Sequence, residues 1–149
     1  MKIWIDADAC PAPVKIIVFR ASQRVGVAVT LVANQRLQTP PSPLITAVQV
    51  SQGFDEADDY IVRQATASDL VITADIPLAA RCVAAGARVL RHGGEVLNAA
   101  NIGNALATRD LMADLRAADP FRQGGGRPFS RQDRARFSAA LDRVLRAAG

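Results

Sequence analysis

The chain is poor in the residues from which common reactive centres are built. Its 149 residues include a single histidine, His92, which excludes a histidine-built metal cage. Two cysteines, Cys10 and Cys82, lie far apart without a C-x-x-C spacing, and support neither a disulfide framework nor a zinc site. Any metal must therefore be held by oxygen. Lys2 and Lys15 are the only lysines, and one tryptophan, one tyrosine and five phenylalanines leave little material for base-stacking platforms. No apolar run approaches the roughly 20 residues of a membrane helix, and no basic-then-apolar segment opens the chain. A cytoplasmic protein without membrane association is the expectation.

What is present describes a globular α/β chain. Hydrophobic residues make up 50% of it and charged residues 21%, enough to fill one core of ordinary size. One domain is expected over residues 1–149, with 120–149 forming a Gly-rich linker and a basic C-terminal helix. The net charge of +4 is unevenly spread. Residues 1–86 hold seven Lys/Arg against eight Asp/Glu, while residues 87–149 hold eleven, all arginine, against six. Arginine matches phosphate bidentately, so this imbalance points to a polyanionic partner.

Lys2 to Asp6 reads as a strand, and Val14, Ile17, Val18 and Ala21 recur at helical spacing as far as the stop at Gly26. Val27 to Ala33 is a second strand. A proline-rich connection leads to a short third one near Ala47 to Val50. A helix with acidic first turns covers about Phe54 to Ala67, and Asp69 to Thr73 is a buried strand. A Pro77-framed helix follows, then a fifth strand over Arg88 to Arg91, then a helical region from Val96 towards Ala118. After Gly124–Gly126, Ser130 and Asp133 give an S-x-x-D helix start, with Phe137, Ala140, Leu141 and Val144 on one stripe. Strands separated by helices imply βαβ units and a mostly parallel sheet covered on both faces.

In open parallel sheets ligands bind beyond the carboxyl ends of the strands, where strand order reverses. Asp6 and Asp8 end the first strand, Asp75 follows the fourth, and Asp58 and Asp59 open the helix that feeds it. If the two strands are neighbours, these carboxylates share one crevice. Like charges so placed raise one another's pKa, and a hard divalent cation relieves the repulsion. Mg2+ or Mn2+ is the expected cofactor, and metal-assisted phosphodiester hydrolysis the expected chemistry. Each acid also has a simpler explanation: Asp75 as a helix cap, Asp8 as a cap near Pro11, and Asp58 and Asp59 as solvated first-turn acids. Asp6 resists that treatment, because it abuts buried apolar residues.

The stretches "IDADACP", "VANQ", "GFDEADDYIV" and "DLVITADIPLAA", followed by "RDLMADLR" and "RPFSRQDRARF", resemble the YaiI/YqxD family of bacterial proteins over nearly the whole chain. That family is in turn similar to the PIN-like nucleases, including the NYN branch. The resemblance implies a three-layer αβα fold, about five strands in the order 3-2-1-4-5, and a C-terminal helix. It also implies an aspartate ending strand one, an acid opening the helix before strand four, and a Thr/Ser-x-Asp after strand four. These roles fall on Asp6, on Asp58 or Asp59 with Asp55 a further candidate, and on Asp75; Asp8 is an added ligand. Where related sequences are expected to carry an Asn-Pro-Arg-Gly-like turn, this chain has "RHGGE", and His92 reads as a turn residue.

RNA or DNA is the expected partner, with Arg127, Arg131 and Arg134 contacting phosphates. Two other classes remain open: a non-catalytic nucleic-acid-binding module, and a phosphatase-like enzyme on small phosphoesters. The D-x-D after strand one also suits haloacid-dehalogenase phosphatases and response-regulator receivers, but both use a lysine late in the fold and none is present. Cys10 reads as a packed residue, since neighbouring carboxylates would raise its pKa.

Overall fold

The computed structural model describes residues 1–53, 55–118 and 128–148. Six strands, β1 (Lys2–Asp6), β2 (Ala28–Ala33), β3 (Ile45–Gln49), β4 (Leu70–Ile72), β5 (Arg88–Leu90) and β6 (Val96–Leu97), form one sheet in the order β3-β2-β1-β4-β5-β6. All neighbours are parallel except β5 and β6. Five helices flank it: α1 (Ala12–Val25), α2 (Glu56–Gln64), α3 (Ile76–Ala84), α4 (Ile102–Ala118) and α5 (Arg131–Ala148). The first five strands take the order implied by the resemblance. The sixth replaces an expected start of helix at Val96, because two apolar residues are too few to show a period.

Alternation along β1 sorts the layers. Ile3 and Ile5 point to the face covered by α1 and α5, with Val14, Val18, Phe137 and Leu141. Trp4 points to the other, with Ile61 of α2, Leu78 and Cys82 of α3, and Ile102 and Leu106 of α4. Ile3 and Ile5 are wholly buried, and each contributes about 1.5–3 kcal/mol by leaving water. The chain fills the sheet outward from β1 in both directions. Because parallel crossovers are right-handed, α1 and α2 must lie on opposite faces, and order reverses between β1 and β4.

Helix ends follow local chemistry. α1 has a proline in its first turn and stops at Gly26, whose φ of 75° places its N–H on Ser22 O at 2.8 Å. At the start of α5, Ser130 Oγ accepts from the Asp133 N–H at 3.1 Å while Asp133 Oδ2 accepts from the Ser130 N–H at 3.0 Å, the reciprocal box expected from the sequence. The β5–β6 turn packs tightly on this helix. Gly94 has φ 92°, and a Cβ there would stand 2.7 Å from Arg136 O, so only glycine fits. The Gly124–Gly126 linker and Arg127 lie outside the described residues.

Candidate active site

The parallel register puts the ends of β1, β4 and β5 on one edge of the sheet. Asp6 closes β1 opposite Val32, and β4 ends at Ile72 beside Ile5. The chain then turns through Thr73 and Ala74 to Asp75, the N-cap of α3, whose Oδ1 accepts from the Leu78 N–H at 3.1 Å. Asp75 is thus a cap, as its simpler explanation holds, and it also lines a cleft with Asp6. One side chain joins the two acids. Thr73 Oγ1 donates to Asp6 Oδ2 at 2.8 Å and accepts from the Asp75 N–H at 3.0 Å, leaving the Asp6 carboxylate no more than two hydrogen-bond lengths from the Asp75 backbone nitrogen.

Burial pushes the Asp6 carboxyl above its ordinary pKa, opposed by the Thr73 hydrogen bond and reinforced by the charges of Asp75 and Asp8. Burial likewise raises Asp58 in the first turn of α2 to about 6, with Asp75, Asp6 and Asp55 adding to the shift and Arg81 opposing it. Asp58 therefore feels Asp6 itself and, like Asp6, the charge of Asp75. Asp59 is one residue further round the helix and forms an ion pair with Arg81 at 2.8 Å. Asp55 precedes both at φ 61°, a left-handed conformation that aspartate tolerates better than most residues.

Asp8 does not cap α1, which has no side-chain cap. Both its oxygens instead accept from the Asn34 N–H, at 3.2 and 3.0 Å, fastening the loop after β1 to the end of β2. Cys10 is no nucleophile: burial chiefly raises its thiol to about 12, with Lys15 opposing and Asp6 adding a smaller push.

The cleft, of about 390 Å³, has lining residues that the sequence did not mark. His92 and Arg109 line it together with Asp6 and Asp75. His92 Nε2 is buried without a hydrogen-bond partner among the described residues, so the histidine read as a turn residue borders the cleft and carries an unsatisfied polar atom. Burial, with Arg91 adjacent, holds its imidazole below the ordinary pKa. Its position after β5 was a usable signal, since β5 ends on the same edge as β1 and β4. Arg109 gave none, because α4 brings it in from across the sheet.

Among the described residues, no three Asp, Glu, His or Cys side chains are grouped so as to enclose an ion. A fully protein-built cage is therefore not the arrangement here. Mg2+ does not need one: it binds through one or two carboxylates and keeps several waters, and the cleft offers the half-buried Asp6 carboxylate together with the exposed, like-charged Asp75. The donor set fits a hydrated hard cation. Arg131 and Arg134 are exposed at the start of α5 and line neither this cleft nor the groove beside it. No helix among the described residues is long and apolar enough to cross a membrane.

The comparisons agree with the family resemblance of the motifs. The family described as "Uncharacterized BCR, YaiI/YqxD family" matches residues 4–147. A UPF0178 protein of Cereibacter sphaeroides is 57% identical over 147 residues, covering 99% of this chain and 90% of the relative. One from Geobacter sulfurreducens is 53% identical over 145 residues, covering 97% and 96%, and one from Thioalkalivibrio sulfidiphilus is 53% identical, covering 97% and 98%. No solved structure matches at a significant level. With nearly every residue of the sheet and the cleft inside the matched span, the chain belongs to the YaiI/YqxD family of UPF0178 proteins.

Proposed function

We propose that the protein is a divalent-metal-dependent hydrolase of phosphodiester bonds in RNA or DNA. The observation that carries this reading is the chain from the Asp75 amide through Thr73 to Asp6, with both aspartates lining one cleft that Arg109 and His92 also line. Carboxylates and a guanidinium in one cleft suit a phosphodiester, with its anionic oxygens towards Arg109.

Asp6 and Asp75 would hold Mg2+ or Mn2+, with Asp58 and Asp8 adding charge around them. When bound, such an ion supplies charge neutralisation and a more acidic attacking water. The chain's own residues do the remainder. Thr73 fixes Asp6 through one oxygen, and the α3 cap fixes Asp75 through one of its own. Asp58, with a pKa near 6, has the acidity suited to taking a proton at neutral pH.

Labelled single-stranded RNA and DNA, incubated with and without Mn2+ or Mg2+, test this. Cleavage that requires metal and disappears in Asp6→Asn and Asp75→Asn supports the reading. The Asp75 change is informative because asparagine caps helices as well as aspartate does. Salt-sensitive binding without cleavage would favour a binding module, and turnover of small phosphoesters alone would favour a phosphatase-like enzyme.

A further inference from the structure

Beside the acidic cleft runs a second concavity, of about 600 Å³, which shares Ala74, Ile76 and Arg109 with it. A molecule reacting at Asp6 and Asp75 can continue into this groove along that shared floor. One bank is a single face of α4, on which Asn104, Thr108, Arg109 and Arg116 recur at helical spacing, with Asn101 just before the helix. The opposite bank carries Arg91, just past β5.

The polar groups on these banks are mostly donors. Glu95 is the only carboxylate among the described residues lining the groove, and it is bound to Arg91 in an exposed pair at 3.3 Å. Arg109 is paired with the adjacent Asp110, also exposed and at 3.3 Å. Long exposed pairs of this kind are worth little and exchange readily for phosphate oxygens. The start of α4 is fixed rather than loose. Asn98 Oδ1 accepts from the Ala100 N–H at 2.9 Å, and the Asn101 amide donates to Val96 O at 2.8 Å. No aromatic side chain among the described residues lines the groove, so none of these residues offers a ring for stacking on bases.

From Arg109 to Arg116 is two helical turns, roughly 10 Å along the axis, further than one phosphate extends. We propose that the groove is the track of a single polynucleotide strand, held through successive phosphates by Arg109, Arg91 and Arg116 and read without regard to base. The strand enters along α4 and delivers its next diester to the acids. This rests on the acids being a phosphodiester site, and it places the main phosphate contacts on α4 and β5, not on Arg131 and Arg134 of α5.

The test uses the full chain in EDTA with fluorescently labelled single-stranded oligonucleotides, followed by anisotropy across a salt series. A longer oligonucleotide should bind more tightly than a dinucleotide, with little dependence on sequence. Arg116→Ala should weaken binding about ten-fold and reduce the salt slope by about 0.7, with Arg116→Lys losing less. Arg20→Ala, on the exposed side of α1, should change nothing. Hydrolysis of bis(p-nitrophenyl) phosphate with Mn2+, by wild type and Asp6→Asn, reports on the acids separately. If that hydrolysis depends on Asp6 while Arg116→Ala binds like wild type, the track is wrong and the acid site stands. If binding depends on Arg116 but the diester survives, the track stands and the acid site fails. Binding lost only in Arg131→Ala/Arg134→Ala, or duplex held as tightly as single strand, overturns the track.

Discussion

The two ends of the β1–β4 strand pair each carry a buried or half-buried aspartate, and the two behave in opposite ways. At the amino end Asp69 accepts from the Lys2 N–H at 3.0 Å, the Trp4 Nε1–H at 3.1 Å and the Thr66 N–H at 2.9 Å. Its burial alone would raise its pKa, but these donors together bring it below the ordinary carboxylate value. At the carboxyl end Asp6 has one such donor, Thr73, faces Asp75 and Asp8, and is pushed upward. The same residue type on the same two strands is satisfied at one end and frustrated at the other. Frustration that the chain does not relieve internally is what a ligand can relieve. The amino end invests in stability, and the proposed function assigns binding to the carboxyl end.

The sharpest break of this comparison is a pair of substitutions. Asp6→Asn should lower metal-dependent phosphodiester hydrolysis on the order of 10³-fold, a loss of about 4 kcal/mol in transition-state stabilisation. The same change should leave thermal stability equal or higher, because it removes a crowded charge while keeping an acceptor for Thr73. Asp69→Ala should do the reverse. It strands three donors and should cost about 3 kcal/mol, read as a lower denaturant midpoint at unchanged slope. Equal destabilisation by both changes would erase the distinction.

Acid and base titration of stability sharpens it further. The folded pKa of Asp69 is lowered, so its contribution is present above the unfolded value of about 3.9 and is lost as pH falls through the folded one. Asp58 has the opposite sign. Its folded pKa of about 6 means that its neutral form favours folding at low pH, and that this contribution is lost as pH rises through 6. Urea unfolding from pH 2 to 8 should show the acid-side loss reduced in Asp69→Asn and the loss approaching pH 6 removed in Asp58→Asn. The smallest effect is expected for Arg81→Ala, which breaks an exposed pair with Asp59 and should change stability by less than about 1 kcal/mol in a thermal melt.

Much of this contrast was legible in the sequence, and for definite reasons. Asp6 and Asp75 follow apolar runs whose strands neighbour one another at the reversal of order, so position along the chain sufficed to bring them together. Asp58 and Asp59 are adjacent in sequence but about 100° apart round a helix. Only packing could show that one feels Asp6 and the other pairs with Arg81. Asp69 looked like the polar start of a strand, because its donors come from Lys2, Trp4 and Thr66 and not from its neighbours. His92 was masked by the glycines of its turn, and Arg109 by the weak patterning of α4, which has no fully buried residue.

The claim that the carboxyl-end acids form a cation site is tested most directly by calorimetric titration of Mn2+ into the protein at pH 7. The account predicts saturable binding by wild type, its loss in Asp6→Asn, and its persistence in Asp69→Asn wherever that variant remains folded. Absence of binding to wild type, or binding undiminished in Asp6→Asn, would contradict it.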